Sequence, residues 1–155
     1  MKLVVVAAIL GLAALLSPWI PQEKDKDFQA VKSSAVKWEK MEGMPEGFWV
    51  SHPTGDPESA PWVCMVKMTK GTLVPPHSHS PNNVMTVVSG TVEFGTEGKP
   101  GQGTGKEVGP GGYCRMASNQ PHWTFAKEDC VFVVSGDKKN DIHFMEKEGK
   151  RKPAK

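Results

Sequence analysis

The sequence predicts an all-β fold, in the form of a small antiparallel β-barrel made of many short strands. Short runs of valine, phenylalanine and methionine recur along the chain, and its 16 glycines and 13 prolines lie between them. Such interrupted runs are typical of strands joined by tight turns. No long stretch has helical periodicity, and a length of 155 residues suits a single domain.

Strand candidates follow one another from residue 36 to residue 145, each bounded by turn-forming residues. The first, 36–41, is predicted to be a strand or a loop. Pro75 and Pro76 lack the N–H that a ladder requires, so they restrict the segment before His77 to an edge or to the start of a strand. The remaining candidates are 48–50, 62–70, 72–79, 84–89, 91–94, 113–116, 122–125, 131–134 and 142–145.

A hairpin and a loop are predicted in the middle of the chain. Ser89-Gly90 separates the candidates 84–89 and 91–94, which is typical of a β-hairpin turn. Residues 95–109 are rich in glycine and charge and show no periodicity, so we predict a mobile loop there.

The N-terminal residues 1–20 differ in kind from the rest. Lys2 precedes an unbroken apolar or small-residue run from 3 to 16, a pattern typical of a secretory signal peptide and short for a membrane span. No clean small-x-small cleavage triplet follows, so an uncleaved N-terminal anchor is the alternative. We therefore expect a secreted or periplasmic protein, or one that this segment anchors to a membrane.

The rest of the chain divides into three predicted parts. Residues 21–35 are polar and charged and form a linker, residues 36–146 form the folded domain, and the basic tail 147–155 is a disordered end. The formal net charge is +2, from 19 basic and 17 acidic residues, and no dense basic stripe points to a nucleic-acid partner. Contact with a membrane is expected only through an uncleaved N-terminal segment.

Three cysteines, Cys64, Cys114 and Cys130, form no Cys-x-x-Cys spacing and no even-numbered framework. We favour the interpretation that they are small buried side chains within strands, since free cysteine is commonly buried. One disulfide with a remaining free thiol is the alternative.

Three histidines are the main functional signal. His77 and His79 are two residues apart, and side chains with that spacing project from the same face of a strand. His122 follows a turn-like segment, 118–121, and precedes a strand-like one, 123–125. If the two strands are neighbours, three imidazole nitrogens converge and leave coordination positions open, as in working rather than structural metal sites.

The intervals around these histidines resemble the two sequence motifs of the cupin superfamily. The first motif is Gly, five residues, His-x-His, three or four residues, Glu, six residues and Gly. The second is Gly, five residues, Pro-x-Gly, two residues and His. The matching residues are Gly71, His77, His79, Asn83 and Gly90 for the first and Gly111, Ala117, Asn119 and His122 for the second.

The resemblance implies a cupin jelly roll (a double-stranded β-helix) in a small single-domain protein, with a metal ion held by His77, His79 and His122. At the position of the usual carboxylate the chain has Asn83, whose amide oxygen is a neutral and weaker ligand. Either Asn83 coordinates weakly or through water, or the metal rests on three histidines, which resembles the iron sites of thiol dioxygenases. Imidazole suits many divalent metals, so the ion could be iron, manganese, zinc or nickel.

Two classes of function are compatible with such a site. The first is a metal-dependent dioxygenase that acts on a small oxygenated or thiol-bearing molecule, and isomerase or lyase action by a divalent ion is close to it. The second class is a non-catalytic module that binds a sugar or an organic acid. In each case the partner is a small molecule, and a homodimer through an exposed sheet edge is also considered.

Several further residues are weaker candidates for the wall of the pocket. Trp123, Phe125 and Met85 are aromatic or flexible apolar residues near the motifs, and Arg115 would suit a substrate carboxylate if it pointed inward. His52 and His143 lack any motif and are interpreted as ordinary polar residues.

Overall fold

The structure is a computed structural model that describes residues 29–54, 60–101 and 103–145. These residues form ten β-strands and one turn of 3₁₀-helix at Ser33–Ala35, with no α-helix among them. The predicted signal peptide or anchor at 1–20, the linker up to residue 28 and the tail 147–155 lie outside the described residues.

The strands are β1 (Phe48–Thr54), β2 (Trp62–Met68), β3 (Leu73–Ser78), β4 (Asn83–Ser89), β5 (Val92–Gly95), β6 (Lys106–Val108), β7 (Tyr113–Met116), β8 (His122–Ala126), β9 (Cys130–Gly136) and β10 (His143–Phe144).

The strands form two five-stranded antiparallel sheets. The first sheet has the order β1-β2-β9-β4-β7 and the second has the order β10-β3-β8-β5-β6. The chain passes from one sheet to the other at most of its turns, which is the path of a jelly roll. The predicted all-β jelly roll is therefore confirmed. The barrel is not closed, however, because no described strand of one sheet pairs with a strand of the other.

The core lies between the inner faces of the two sheets. Along β2 and β9 every second residue is buried, as expected for strands with one face against a core. Phe132 of the first sheet meets Phe94 of the second edge to face, with ring centroids 6.1 Å apart. Full burial of a side chain of this size contributes roughly 1.5–3 kcal/mol, so these alternating residues hold the sheets together.

The three cysteines are free, as favoured from the sequence. Cys64 and Cys130 are buried in the core and Cys114 is half-buried. Burial raises the pKa of the Cys64 thiol to about 11, because the thiolate would lose its hydration. All three therefore serve as small, neutral core side chains.

The predicted hairpin at Ser89-Gly90 is wrong. The turn is present, with Gly90 at φ 70°, but β4 and β5 lie in different sheets. Strand β4 already pairs with β9 on one side and β7 on the other, so it has no free edge for β5. The turn thus acts as a corner between the two layers.

Part of the predicted loop 95–109 is ordered. Gly95 ends β5 and residues Lys106–Val108 form β6, which pairs antiparallel with β5. The true hairpin of this region is therefore β5–β6, with the glycine-rich segment between them as its loop. The sequence pattern missed β6 because two of its three residues are charged and exposed.

Candidate metal centre

Three histidines meet at one end of the inner surface of the second sheet. His77 lies in β3 and His122 begins β8, and these two residues are direct partners across the antiparallel ladder. His79 follows one residue after the end of β3. One potential ligand nitrogen from each histidine lies within 4.8 Å of the other two, so the three side chains could hold a single metal ion.

A bulge in β3 aims His77 inward. Val74 pairs with Thr124 and His77 pairs with His122, so three steps along β3 oppose two steps along β8. The extra residue falls at Pro75-Pro76, whose nitrogens cannot donate to the ladder in any case. The neighbouring strand β10 pairs with β3 only at His77 and Ser78. The predicted edge or entry position is therefore wrong: the prolines lie inside β3, which has a neighbour on each side, and the bulge accommodates them.

Backbone carbonyls fix the tautomer of all three rings. The Nδ1 atom of His77 lies 2.7 Å from the carbonyl oxygen of Pro75, and that of His122 lies 2.9 Å from the carbonyl oxygen of Gln120. The Nδ1 atom of His79 contacts the carbonyl oxygen of Asp141. Because a carbonyl oxygen only accepts, each Nδ1 carries the proton and donates it. Each Nε2 therefore keeps a free lone pair for a metal ion.

The three rings are held in the neutral state that metal binding requires. Burial, together with the smaller effect of the nearby His122, lowers the pKa of His77 to about 3. Burial is also the main cause that lowers the pKa values of His79 and His122. Three imidazoles this close cannot all carry a charge without repulsion. At neutral pH the site therefore offers lone pairs rather than protons.

Asn83 faces the same space from the first sheet. Its side chain is only 2% exposed, and its Oδ1 atom has no hydrogen-bond partner in the protein. It lies in register with Gly136 of β9, which in turn lies opposite Trp62 of β2. A Cβ atom at Gly136 would come within 2.4 Å of the Trp62 ring and 3.1 Å of Asn83 Oδ1. The glycine thus leaves room for the indole and the amide to pack side by side.

The donor set fits a divalent metal ion. Three neutral imidazoles with free Nε2 atoms suit iron, manganese, zinc and nickel alike. The unpartnered buried oxygen of Asn83 is the kind of atom that a cation, a bound water or a ligand would satisfy. His77, His79 and His122 would hold the ion, and Asn83 would add a weak oxygen donor or a hydrogen bond beside it.

A cavity of about 300 Å³ opens in front of the histidines. Its wall is mostly apolar. The described lining residues include one acidic residue, Glu39, and one lysine, Lys40, and both are exposed to solvent. Thr124 lies on the same side of β8 as His122 and also lines the cavity. The apolar wall includes Phe48, Trp62, Val74, Met85, Phe132 and Val134.

Of the weaker pocket candidates, Met85 lines the cavity and the others do not. Trp123 is buried on the opposite side of β8, where its indole N–H donates to the carbonyl oxygen of Glu97 at 3.1 Å. Phe125 shares that side, as strand alternation requires. Arg115 is exposed, because Cys114 and Met116 are the inward pair of β7. The anchoring role considered for Arg115 required an inward side chain, and this condition is not met.

Two residues near the site were missed by the sequence reasoning. His52, read as an ordinary polar residue, lies on the rim of the cavity. Asp141 receives the Nδ1–H of His79 on its carbonyl oxygen, while its carboxylate accepts the backbone N–H of Ser80 at 2.7 Å and pairs with His143 at 3.2 Å. It thus ties the chain before β10 to the residues that follow β3. No motif marks Asp141, since its partners are 61 and 62 residues away in sequence.

Comparison with known families agrees with this architecture. Residues 26–139 match the ChrR cupin-like domain family, and the chain therefore belongs to that family. The cupin resemblance of the two motifs is thereby confirmed. No curated protein sequence matches the chain at a significant level.

Solved structures with the same fold have varied functions. The polyketide cyclase RemF from Streptomyces resistomycificus is 20% identical with a TM-score of 0.62, and the match covers 79% of this chain and 88% of that one. A proposed acetylacetone dioxygenase from Methylibium petroleiphilum PM1 is 18% identical with a TM-score of 0.61, covering 79% and 83%. The complex of Rhodobacter sphaeroides SigE with the anti-sigma ChrR contains a match with 19% identity and a TM-score of 0.53, covering 68% and 51%. At these identities the likeness shows the fold alone.

The N-terminal segment is outside the part of the chain that the structure describes. Among the described residues, no helix has the length and apolar character that crossing a bilayer requires.

Proposed function

We propose that this protein is a metal-dependent dioxygenase for a small, largely apolar molecule with a metal-binding oxygen or sulfur donor. One observation carries the proposal: three Nε2 lone pairs, fixed by backbone carbonyls, border an apolar cavity of about 300 Å³. Three protein ligands leave positions open for both a substrate and dioxygen. A bound divalent ion of this kind supplies Lewis-acid and, for iron, redox chemistry.

The residues of the chain have clear roles in this proposal. The histidines bind the ion and, because their pKa values are lowered, do not compete for substrate protons near neutral pH. The apolar wall orients the body of the substrate and excludes water from the reacting end. Asn83 presents its buried amide beside the histidines, where it can hydrogen-bond to a ligand donor atom.

The experiment begins with elemental analysis of the purified full chain. Oxygen uptake is then measured over a panel of enols, thiols and aromatic diols, for the wild type and for His77→Ala, His79→Ala and His122→Ala. His52→Ala is the matched control, since His52 lines the cavity but stands outside the cluster. Metal content and uptake should fall in the three cluster variants and persist in the control. Equal behaviour of all four variants would refute the proposal.

The second candidate function is a non-catalytic binding module. It is favoured because, apart from the three histidines, no described residue of the cavity wall is a buried acid or base: Glu39 and His52 are exposed, and burial raises the pKa of the Cys64 thiol to about 11. Retention of a ligand by the metal-loaded protein, with no oxygen uptake and no product across the panel, would favour this function over the enzyme.

We also propose that the protein is exported, on the sequence of residues 1–20 alone. Mass spectrometry of the protein from its native host would test this. Loss of the first residues and recovery outside the cytoplasm support export, whereas an intact soluble chain in the cytoplasm contradicts it.

A further inference from the structure

We infer that the ligand of this site is a small anion, with its charge on an oxygen donor and an apolar body. The inference rests on the proposed metal site and names the class of molecule that it takes. Enolates, phenolates and catecholates belong to this class, whereas sugars do not.

The first step is the charge of the site. Each histidine donates its Nδ1–H to a backbone carbonyl oxygen and presents an uncharged Nε2 to the site, and the motif position that usually carries a carboxylate is occupied by the neutral amide of Asn83. Of the described residues that line the cavity, the one acid is Glu39, which is exposed to solvent. A divalent ion would therefore keep its whole charge of +2 in a poorly hydrated space. Such a charge strongly favours an anionic ligand.

Among the described residues, Asp141 is the one acidic residue that contacts the cluster directly, and it does not fully remove this imbalance. It meets His79 through its backbone carbonyl, not through the carboxylate. Its carboxylate is engaged by the N–H of Ser80 and by His143, and its side chain is 31% exposed. Its charge reaches His79, but solvent and these partners weaken its effect at the centre of the cavity. Most of the compensating charge would therefore come from the ligand.

The second step is the shape and chemistry of the wall. Apart from the histidines, the polar side chains that place buried atoms at the cavity are Asn83, Thr124 and the half-buried Asn140, whose Oδ1 also lacks a partner among the described residues. The other fully buried lining residues are apolar. A ligand with many hydroxyl groups would leave them unpaired against Phe132, Val134 and Met85, which is costly. A ligand with a compact apolar body and its donor atoms at one end fits a wall whose polar groups lie beside the histidines and whose remaining buried residues are apolar. Asn83, whose Oδ1 lacks a partner, lies at that polar end.

The test compares charge at one position in the full chain. Asn83→Glu restores the carboxylate, and Asn83→Gln has the same length without the charge. Each protein is loaded with zinc or iron, its metal affinity is measured by competition with a chelator, and its fold is checked by thermal unfolding. Binding of 4-nitrocatechol, an anionic chelating chromophore, is followed by its absorption, and 4-nitroanisole serves as a neutral probe of similar size.

We expect wild type and Asn83→Gln to bind 4-nitrocatechol more tightly than 4-nitroanisole. Asn83→Glu should bind the anion at least about tenfold more weakly than Asn83→Gln and should hold the metal more tightly, because its own carboxylate neutralises the ion. Equal anion affinity of the Glu and Gln variants would overturn the inference, as would equal affinity of wild type for both probes. If the wild type takes up no metal, the proposed function fails as well. If the wild type binds metal normally but the charge at position 83 does not change the affinity for the anion, only this inference fails.

Discussion

His77 and His122 are direct partners in the β3–β8 ladder, and their ring centroids are 4.3 Å apart. Each ring donates its Nδ1–H to the backbone carbonyl oxygen two residues earlier in the chain, that of Pro75 for His77 and that of Gln120 for His122. The same local hydrogen bond therefore directs the Nε2 lone pair of each ring toward the same point. Since each of these hydrogen bonds joins residues only two apart in the chain, the orientation of both rings is set before any ion binds.

Metal binding should stabilise the fold. An ion that binds the folded chain at 100 times its dissociation constant adds about 2.7 kcal/mol to the free energy of unfolding. We expect added zinc, manganese or nickel to raise the melting temperature, followed by tryptophan fluorescence, and a chelator to lower it again. His122→Ala should lose this increase while His52→Ala retains it. An equal increase in both variants would place the stabilising ion elsewhere.

The metal-free protein should lose stability as the pH falls below about 6.5. His77 has a pKa of about 3 in the folded state, against about 6.5 in an unfolded chain. Between these values the unfolded state binds more protons, so the free energy of unfolding falls as pH falls, by up to about 1.4 kcal/mol per pH unit for one histidine. Above about pH 7.5 the ring is almost entirely neutral in both states and contributes almost no dependence on pH.

Urea unfolding at pH 7.5, 6 and 5 in the presence of a chelator measures this dependence. His77→Gln removes the titrating ring and should give a flatter profile than the wild type over the same range. A wild-type free energy of unfolding that is constant from pH 7.5 to pH 5 would contradict the assignment of a buried neutral His77.

The sequence predicted the meeting of the three histidines better than it predicted how the surrounding strands pair. The glycines that define the intervals of the two motifs are required by the backbone conformation. Gly71, Gly90 and Gly111 all have positive φ values. Asn119 also has a positive φ, of 58°, so it replaces a turn glycine as expected. These positions are local, and a sequence motif records local requirements well.

What the sequence could not supply is long-range pairing. The turn at Gly90 is recognisable, but whether its two strands pair depends on β9 and β7, which occupy both edges of β4. Strand β6 is too short and too polar to be seen alone. Asp141 reaches the site only because β10 returns beside β3, a contact that no local pattern encodes.

Asp141 should position His79 for the metal. Its carboxylate accepts the Ser80 N–H at 2.7 Å, which holds its own carbonyl against the His79 ring. We expect Asp141→Ala to lower metal affinity by about 10–100-fold, as is typical when a partner that orients a ligand is removed. Asp129→Ala is the matched control, because Asp129 accepts the Lys70 N–H at the same distance, 2.7 Å, through the same kind of side-chain contact.

Chelator competition gives the metal affinity of both variants, and thermal unfolding gives their stability. The positioning role requires that Asp141→Ala loses affinity beyond what its loss of stability explains, whereas Asp129→Ala loses stability alone. If the two variants lose metal affinity equally, the Asp141 contact is merely structural.

Gly90 and Gly71 should tolerate alanine very differently, although both are motif glycines with positive φ, 70° and 86°. A Cβ atom at Gly90 would lie 2.2 Å from the carbonyl oxygen of Asp129 and 2.8 Å from the Cβ of Cys130, so the corner between the sheets must shift. A Cβ atom at Gly71 meets nothing within 4 Å. Gly71→Ala should therefore cost only the backbone strain, about 1–2 kcal/mol, and Gly90→Ala clearly more. Urea unfolding of the two variants measures the difference, and equal costs would mean that the two motif glycines are required for their backbone conformation alone, not for the close approach at the corner.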